Sequence, residues 1–206
     1  YNSNFYALAA LLKEMGCEIV QSGIVTDSFE ETKSTLEQIA SKVDCIITTG
    51  GVSVGEEDHV KEAVEANGHV DLWKLAIKPG KPFASGKIMG KQFFGLPGNP
   101  VSAFVTFLLL VKPCLLSMLG SKNVRVRGQA VKAHFSSSSV SERQEYLRVS
   151  LRHDERGVPS IERCQNQSSG AGSSLVIADG LAVVPPHRKV VRGEYLEYIS
   201  FSELLR

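Results

Sequence analysis

The spacing of the apolar residues changes once along the chain, at Gly120, and that change constrains the fold more than any other feature. Before it, Phe5, Leu8, Ala9, Leu11, Leu12 and Met15 recur at three and four residues, the spacing of an amphipathic helix that Gly16 is placed to end. After it, apolar and polar residues alternate: Val124 and Val126; Leu147, Val149 and Leu151; Leu181 and Val183; then Tyr195 to Ile199. Gly157-Val158-Pro159, Pro185-Pro186 and Arg192-Gly193 separate these runs, as turns separate strands. Charge changes at the same border. Up to Gly120 there are ten lysines, no arginine and 13 acids, a net of −3; beyond it ten arginines and three lysines face nine acids, a net of +4, within an overall +1. Two domains are therefore expected, an α/β domain over 1–120 and a small all-β domain over 121–206, in a chain of 206 residues that is long enough to bury a real core.

Within the first part, Cys17 to Val20 reads as a short strand. Ser28 followed by Glu31 is a capping box ahead of a helical stripe through Phe29, Leu36, Ile39, Ala40 and Val43. Val43, Cys45, Ile46 and Ile47 have the pattern of a parallel strand buried on both faces, ended by Thr48-Thr49-Gly50-Gly51, and the next helix is expected from Glu56 or Glu57 to Ala66. Phe93 and Phe94 mark another buried strand. It leads through Gly95-Leu96-Pro97-Gly98 to Asn99, placed as an N-cap, and Pro100, placed as the first helical residue. Helices alternating with strands predict a mainly parallel α/β sheet that binds ligands at the carboxyl ends of its strands. The serine run from Ser136 to Ser139 is expected in a loop.

Several function classes find no support. Near-neutral charge offers no basic face for nucleic acid. Cys17, Cys45, Cys114 and Cys164 lie far apart without a CxxC pair, which suits a reducing cytoplasm and neither a zinc knuckle nor a disulfide framework. The longest apolar run, Ala103 to Val111, is interrupted by Thr106 and is short of the ~20 residues of a bilayer span. Tyr1-Asn2-Ser3-Asn4 leads straight into the first helix with no signal peptide, and the missing initiator Met points to a fragment. His59, His69, His134, His153 and His187 are scattered, with no Gly-x-Ser-x-Gly and no cysteine nearby, so no nucleophilic triad is expected.

Three loops suit an oxyanion. In TTGGVSVGEEDH, residues 48–59, Gly50 and Gly51 let a ligand approach the main chain, and N–H groups at the following helix start favour an anion. Glu56 and Glu57 suit the first-turn macrodipole; for Asp58 that role and Mg²⁺ binding beside a phosphate stand equally open. In Lys78-Pro79-Gly80-Lys81-Pro82 a rigid turn presents two ammonium groups at little ordering cost, whereas Lys74, Lys87 and Lys91 read as solvated surface groups. Gly98-Asn99-Pro100-Val101-Ser102 offers a capped helix start with a hydroxyl. Anion loops beside an acid suggest metal-assisted transfer of an oxyanion without a covalent enzyme intermediate.

TTGGVSVGEED, KLAIKPGKPFASG and FGLPGNPVSAFVTF, in this order, closely resemble the molybdopterin molybdenumtransferase family, the MoeA proteins and the E domain of gephyrin. The similarity continues through Gln144-Glu145-Tyr146-Leu147-Arg148, Asn166 to Gly170 and Asp179 to Pro185. It implies a MogA-like three-layer domain followed by a barrel-like β domain, and insertion of molybdate into adenylylated molybdopterin with release of AMP, assisted by Mg²⁺ or a similar divalent ion. By resemblance, Asp58 is the metal-binding and catalytic aspartate. Gly50, Gly51, Val52, Ser53 and Gly55, with Gly98 and Asn99, bind the nucleotide and pterin phosphate. Lys78 and Lys81 are catalytic with Asp58 and hold molybdate, framed by Ser102, Arg148 and Ser169. Partners implied are the small-molecule substrates, a second copy in a homodimer and a MogA-type adenylyltransferase in the pathway; nucleic acid and membrane are not expected. Family members carry a strand with a Thr-Gly-Asp-Glu-like turn, and two further domains, ahead of this region, and their dimers complete the cleft with those domains. Activity of this chain in isolation is therefore not expected. A MogA-type adenylyltransferase, sharing the α/β domain, and a gephyrin-like scaffold are the alternatives.

Overall fold

The computed structural model describes residues 2–20, 23–25, 28–52 and 59–206, which divide into two units. The first comprises residues 1–75 and 80–107 and the second 76–79 and 108–206, so the chain enters the second unit for four residues before returning. Each unit has its own apolar core.

Helix α1 (Ser3–Glu14) starts with the Asn2 side chain accepting from Phe5 N–H. It ends as expected: Gly16 takes φ 81, and the N–H groups of Gly16 and Cys17 return to the carbonyls of Lys13 and Leu12. Cys17 to Val20, expected as a strand, is not one. A strand exists only through a ladder, and none of the described strands pairs with this segment. Helix α2 (Phe29–Ala40) begins after Ser28, which sits at the N-cap without the side-chain bond of a capping box. Next come β1 (Cys45–Thr49), α3 (His59–Asn67) and β2 (Gly68–Trp73).

Beyond the excursion to the second unit, made by β3 (Ile77–Lys78), β4 (Ala84–Ile88) and β5 (Lys91–Leu96) complete a sheet of order β1-β5-β4-β2. It is mixed, not mainly parallel: β1 and β5 run parallel, while β5–β4 and β4–β2 are antiparallel. The cause is local. Met89-Gly90, both at positive φ, reverses the chain in a two-residue turn, and a parallel pair would have needed a crossover helix. Only Ile46 of β1 is buried, which corrects the expectation of a strand buried on both faces; among the described residues β1 pairs with β5 alone. Leu36 and Ala40 of α2 and Ala63 and Val64 of α3 pack with Ile46, Ala84, Ile88 and Phe93 from one sheet face.

Helix α4 (Pro100–Thr106) continues through a π-helical turn (Phe107–Val111) into α5 (Lys112–Met118). Pro113 lacks the N–H that would reach Leu109, and its ring crowds that carbonyl; widening the helix by one residue just ahead of the proline relieves both. The helix Pro100–Met118 is 19 residues long with mean hydropathy 2.0, longer than the apolar run suggested and by length and composition sufficient to cross a membrane. More than half of it is buried, including Val101, Val105, Phe107, Leu108 and Val111, as in the core helix of a globular domain.

In the second unit β6 (Gln129–Ala133), β7 (Gln144–His153), β8 (Pro159–Arg163), a short helix α6 (Ser174–Ile177), β9 (Gly180–Val184) and β10 (Tyr195–Ser200) precede a last helical turn, α7 (Phe201–Leu205). The order β7-β8-β6-β10-β9 closes through a β7–β9 pairing into a five-stranded barrel, with β3 attached to β7 outside the ring. Closure leaves no edge on those five strands. Val131, Leu147, Val149, Ile161, Ala182, Val184, Leu196 and Tyr198 fill the interior. Val124 and Val126, expected in a strand, lie just outside β6.

Candidate functional site

In the first unit the two glycine-bearing loops leave the carboxyl ends of neighbouring parallel strands. Thr49 of β1 stands opposite Leu96 of β5, and Gly50 N–H donates to Leu96 O at 2.9 Å, carrying the ladder one residue past β1. A Cβ built on Gly98 would lie 3.7 Å from Gly50 Cα, so the Gly50 and Gly98 loops are immediate neighbours. Such a paired carboxyl edge is where α/β sheets bind ligands. Gly51 requires its type twice over: φ is 69°, and a Cβ would meet Val60 Cγ2 at 2.5 Å, against the first turn of α3. Val52 is buried at 2% exposure and serves the core. Ser53, Gly55 and Asp58 lie outside the described residues.

Asn99 occupies the N-cap of α4 in an extended conformation, with its carbonyl accepting from Ala103 N–H at 2.9 Å, and Pro100 is the first helical residue. Ser102 is buried in the first turn of α4, while Lys81 is exposed; its carbonyl accepts from Leu75 N–H and closes the base of the four-residue excursion. Sequence reasoning missed Asn4. Its Nδ2 donates to Gly98 O at 2.8 Å from a buried position on α1, so it ties the second loop to that helix. The signal was available: Asn4 lies one helical turn before Leu8, a polar residue on an otherwise apolar stripe.

Among the described residues, two polar atoms around the first loop have no partner. Thr48 Oγ1, near the end of β1, and His59 Nδ1, at the start of α3, are buried and make no hydrogen bond. They bracket the glycine loop in sequence. A hydroxyl in that position can donate to a phosphate oxygen. Among the described residues no cluster of three or more His, Cys, Asp or Glu is placed to bind a metal.

The second unit carries Lys78, Arg148 and Ser169. Lys78 Nζ lies 2.8 Å from Glu145 Oε1, an ion pair across the parallel β3–β7 register. Arg148, three residues further along β7, is sent by the pleat to the opposite face from Glu145. It is 1% exposed, and its Nη2 donates to the carbonyls of Asn166 and Ser168 at 3.1 and 3.2 Å, while Nε is buried without a partner. Burial is the main cause that lowers its pKa; the nearby Cys164 opposes the shift and Arg163 adds to it. Gln167 locks the same turn: its Oε1 accepts from Arg148 N–H and its Nε2 donates to the carbonyls of Arg148 and Cys164. The guanidinium thus shapes the turn that leads into Ser169, which is partly buried.

Residues 1–117 match the family described as the probable molybdopterin binding domain, and residues 130–201 match the MoeA C-terminal region (domain IV). The chain belongs to the molybdopterin-binding family. It is similar to a molybdopterin molybdenumtransferase of Haemophilus influenzae, 35% identical over the whole of this chain and 51% of that protein. It is also similar to the molybdenum cofactor synthesis protein cinnamon of Drosophila melanogaster, 34% identical over 90% of this chain and 31% of that protein. The solved structure of a molybdopterin biosynthesis MoeA protein from Pyrococcus horikoshii superposes with a TM-score of 0.77 at 32% identity, covering 98% of this chain and 48% of that one. The chain spans about half, or less, of the length of these family members. Their names place the family in molybdenum cofactor biosynthesis.

Proposed function

We propose that this chain supplies the substrate-binding core of a molybdopterin molybdenumtransferase, which inserts molybdate into adenylylated molybdopterin and releases AMP. The paired Gly50 and Gly98 loops carry this reading, because they set exposed main chain and a helix start side by side at a parallel carboxyl edge. On this reading Gly50, Gly51, Val52, Ser53 and Gly55, with Gly98 and Asn99, cradle the nucleotide and pterin phosphate. Asp58 would hold Mg²⁺ or a similar divalent ion, which would supply positive charge to the phosphoanhydride. Lys78 and Lys81 neutralise the molybdate dianion, and the hydroxyls of Ser102 and Ser169 donate to its oxygens. Arg148 frames the oxyanion through the turn it holds, which sets where Ser169 stands.

A homodimer, a cytoplasmic setting and a MogA-type adenylyltransferase that furnishes the adenylylated pterin belong to the same proposal. The match of residues 130–201 to the MoeA C-terminal region favours it over a MogA-type enzyme. Binding separates it from a scaffold. Calorimetric titration of the chain with adenylylated molybdopterin should show saturable binding that Gly51→Ala weakens; a folded dimer that binds neither the pterin nor molybdate would favour the scaffold.

A further inference from the structure

Lys78 is held by three consecutive residues at the start of β7. Gln144 N–H donates to Ala76 O at 3.0 Å, Arg143 Nη1 donates to Ile77 O at 3.1 Å, and Glu145 Oε1 lies 2.8 Å from Lys78 Nζ. The first two fix the backbone of the excursion and the third fixes the side chain. The two partners differ in burial: the Glu145 side chain is 9% exposed and that of Lys78 is 51% exposed. A buried carboxylate therefore anchors a half-exposed ammonium. An ammonium has three donors, so the bond to Glu145 leaves two for another acceptor.

We infer that Glu145 is a positioning residue for the oxyanion step: it orients the Lys78 ammonium and, as a built-in counter-anion, limits how tightly that lysine holds the oxyanion. The inference rests on the reading that Lys78 binds molybdate. Orientation comes from the short ion pair on a backbone already fixed by Arg143 and Gln144, so little side-chain freedom remains to be lost on binding. Limitation comes from charge. A dianion at Lys78 lies within a few ångströms of the Glu145 carboxylate, and their repulsion offsets part of the attraction of the ammonium.

The test titrates sodium molybdate into the complete protein by calorimetry, for the wild type, Glu145→Gln, Glu145→Ala and Lys78→Met, with a melting curve for each. Glu145→Gln retains an acceptor for Lys78 and removes the charge, so its Kd should fall about tenfold. Glu145→Ala loses the orientation as well and should bind more weakly than Glu145→Gln. A Kd for Glu145→Gln equal to or above that of the wild type, with Lys78→Met still abolishing binding, overturns the role of Glu145 and leaves the molybdate reading standing. Absence of binding by the wild type, or wild-type affinity in Lys78→Met, overturns the molybdate reading and this inference with it. If Glu145→Gln does not fold, the Glu145 Cδ resonance of the labelled wild type decides: a shift on adding molybdate supports the inference, and no shift while Lys78 Cε does shift overturns it and leaves the molybdate reading standing.

Discussion

Tyr198 shows what burial does to one titratable group. It is 1% exposed inside the barrel, its hydroxyl donates to Asp179 O at 3.1 Å, and its pKa is pushed up to about 12, chiefly by burial and secondarily by the Asp179 charge. An acid whose folded pKa exceeds the unfolded value of about 10 contributes stability that is fully present below pH ~10 and is lost as pH rises toward 12. Urea unfolding across that window should show stability falling with pH, and Tyr198→Phe should flatten the fall while costing about 1 kcal/mol near neutrality. An unchanged slope in the variant would assign the alkaline loss to other groups. Arg148 marks the limit of sequence reasoning at the same scale. Its motif and its planar donor fork were legible, but its use of Nη2 on two backbone carbonyls depends on how the turn after Cys164 folds back onto β7. Glu145 was quoted in that motif without a role, since nothing in the sequence places residue 145 opposite residue 78.

Elements were legible where their signal is local. α1, α2, β5, β7, β9 and β10 stand close to where period and caps put them, because both signals act over a few residues. The misses depend on distant partners. Cys17 to Val20 has strand composition but no ladder, while β4 and β2 form despite Gly68 and Gly86. Each of those glycines is needed at the β2–β4 crossing, where a Cβ would fall 1.8 Å from Lys87 O or 2.1 Å from His69 O. β8 was missed because Pro159, taken as part of a separator, is its first residue, a position that a proline can occupy. The glycine loop gives the prediction at this scale. Gly51→Ala places a methyl 2.5 Å from Val60 Cγ2 at φ 69°, and should cost about 1–3 kcal/mol in denaturant unfolding as α3 and the loop are pushed apart. Wild-type stability in that variant would show that the loop relaxes freely and has no fixed conformation to offer a phosphate.

At the scale of the molecule, the change of period at Gly120 announced two domains and the family matches end at 117 and resume at 130, while the grouping of residues by contact divides the chain differently. Residues 76–79 belong with the barrel, and the first unit closes at residue 107, inside the helix Pro100–Met118. A sequence reads continuously through such a helix, because its apolar residues are equally helical on both sides of the division. The excursion was hidden for a related reason. β3 is two residues long and gains its place from Arg143, Gln144 and Glu145, more than sixty positions away. The central proposal concerns the complete protein: that it inserts molybdate with the help of a metal held by Asp58. The direct measurement is molybdate-dependent AMP release from adenylylated molybdopterin by the complete protein, with Asp58→Ala compared to wild type and circular dichroism confirming the fold. Loss of turnover, on the order of a hundredfold or more, with the fold intact is the result the account predicts. Normal turnover in Asp58→Ala would contradict it.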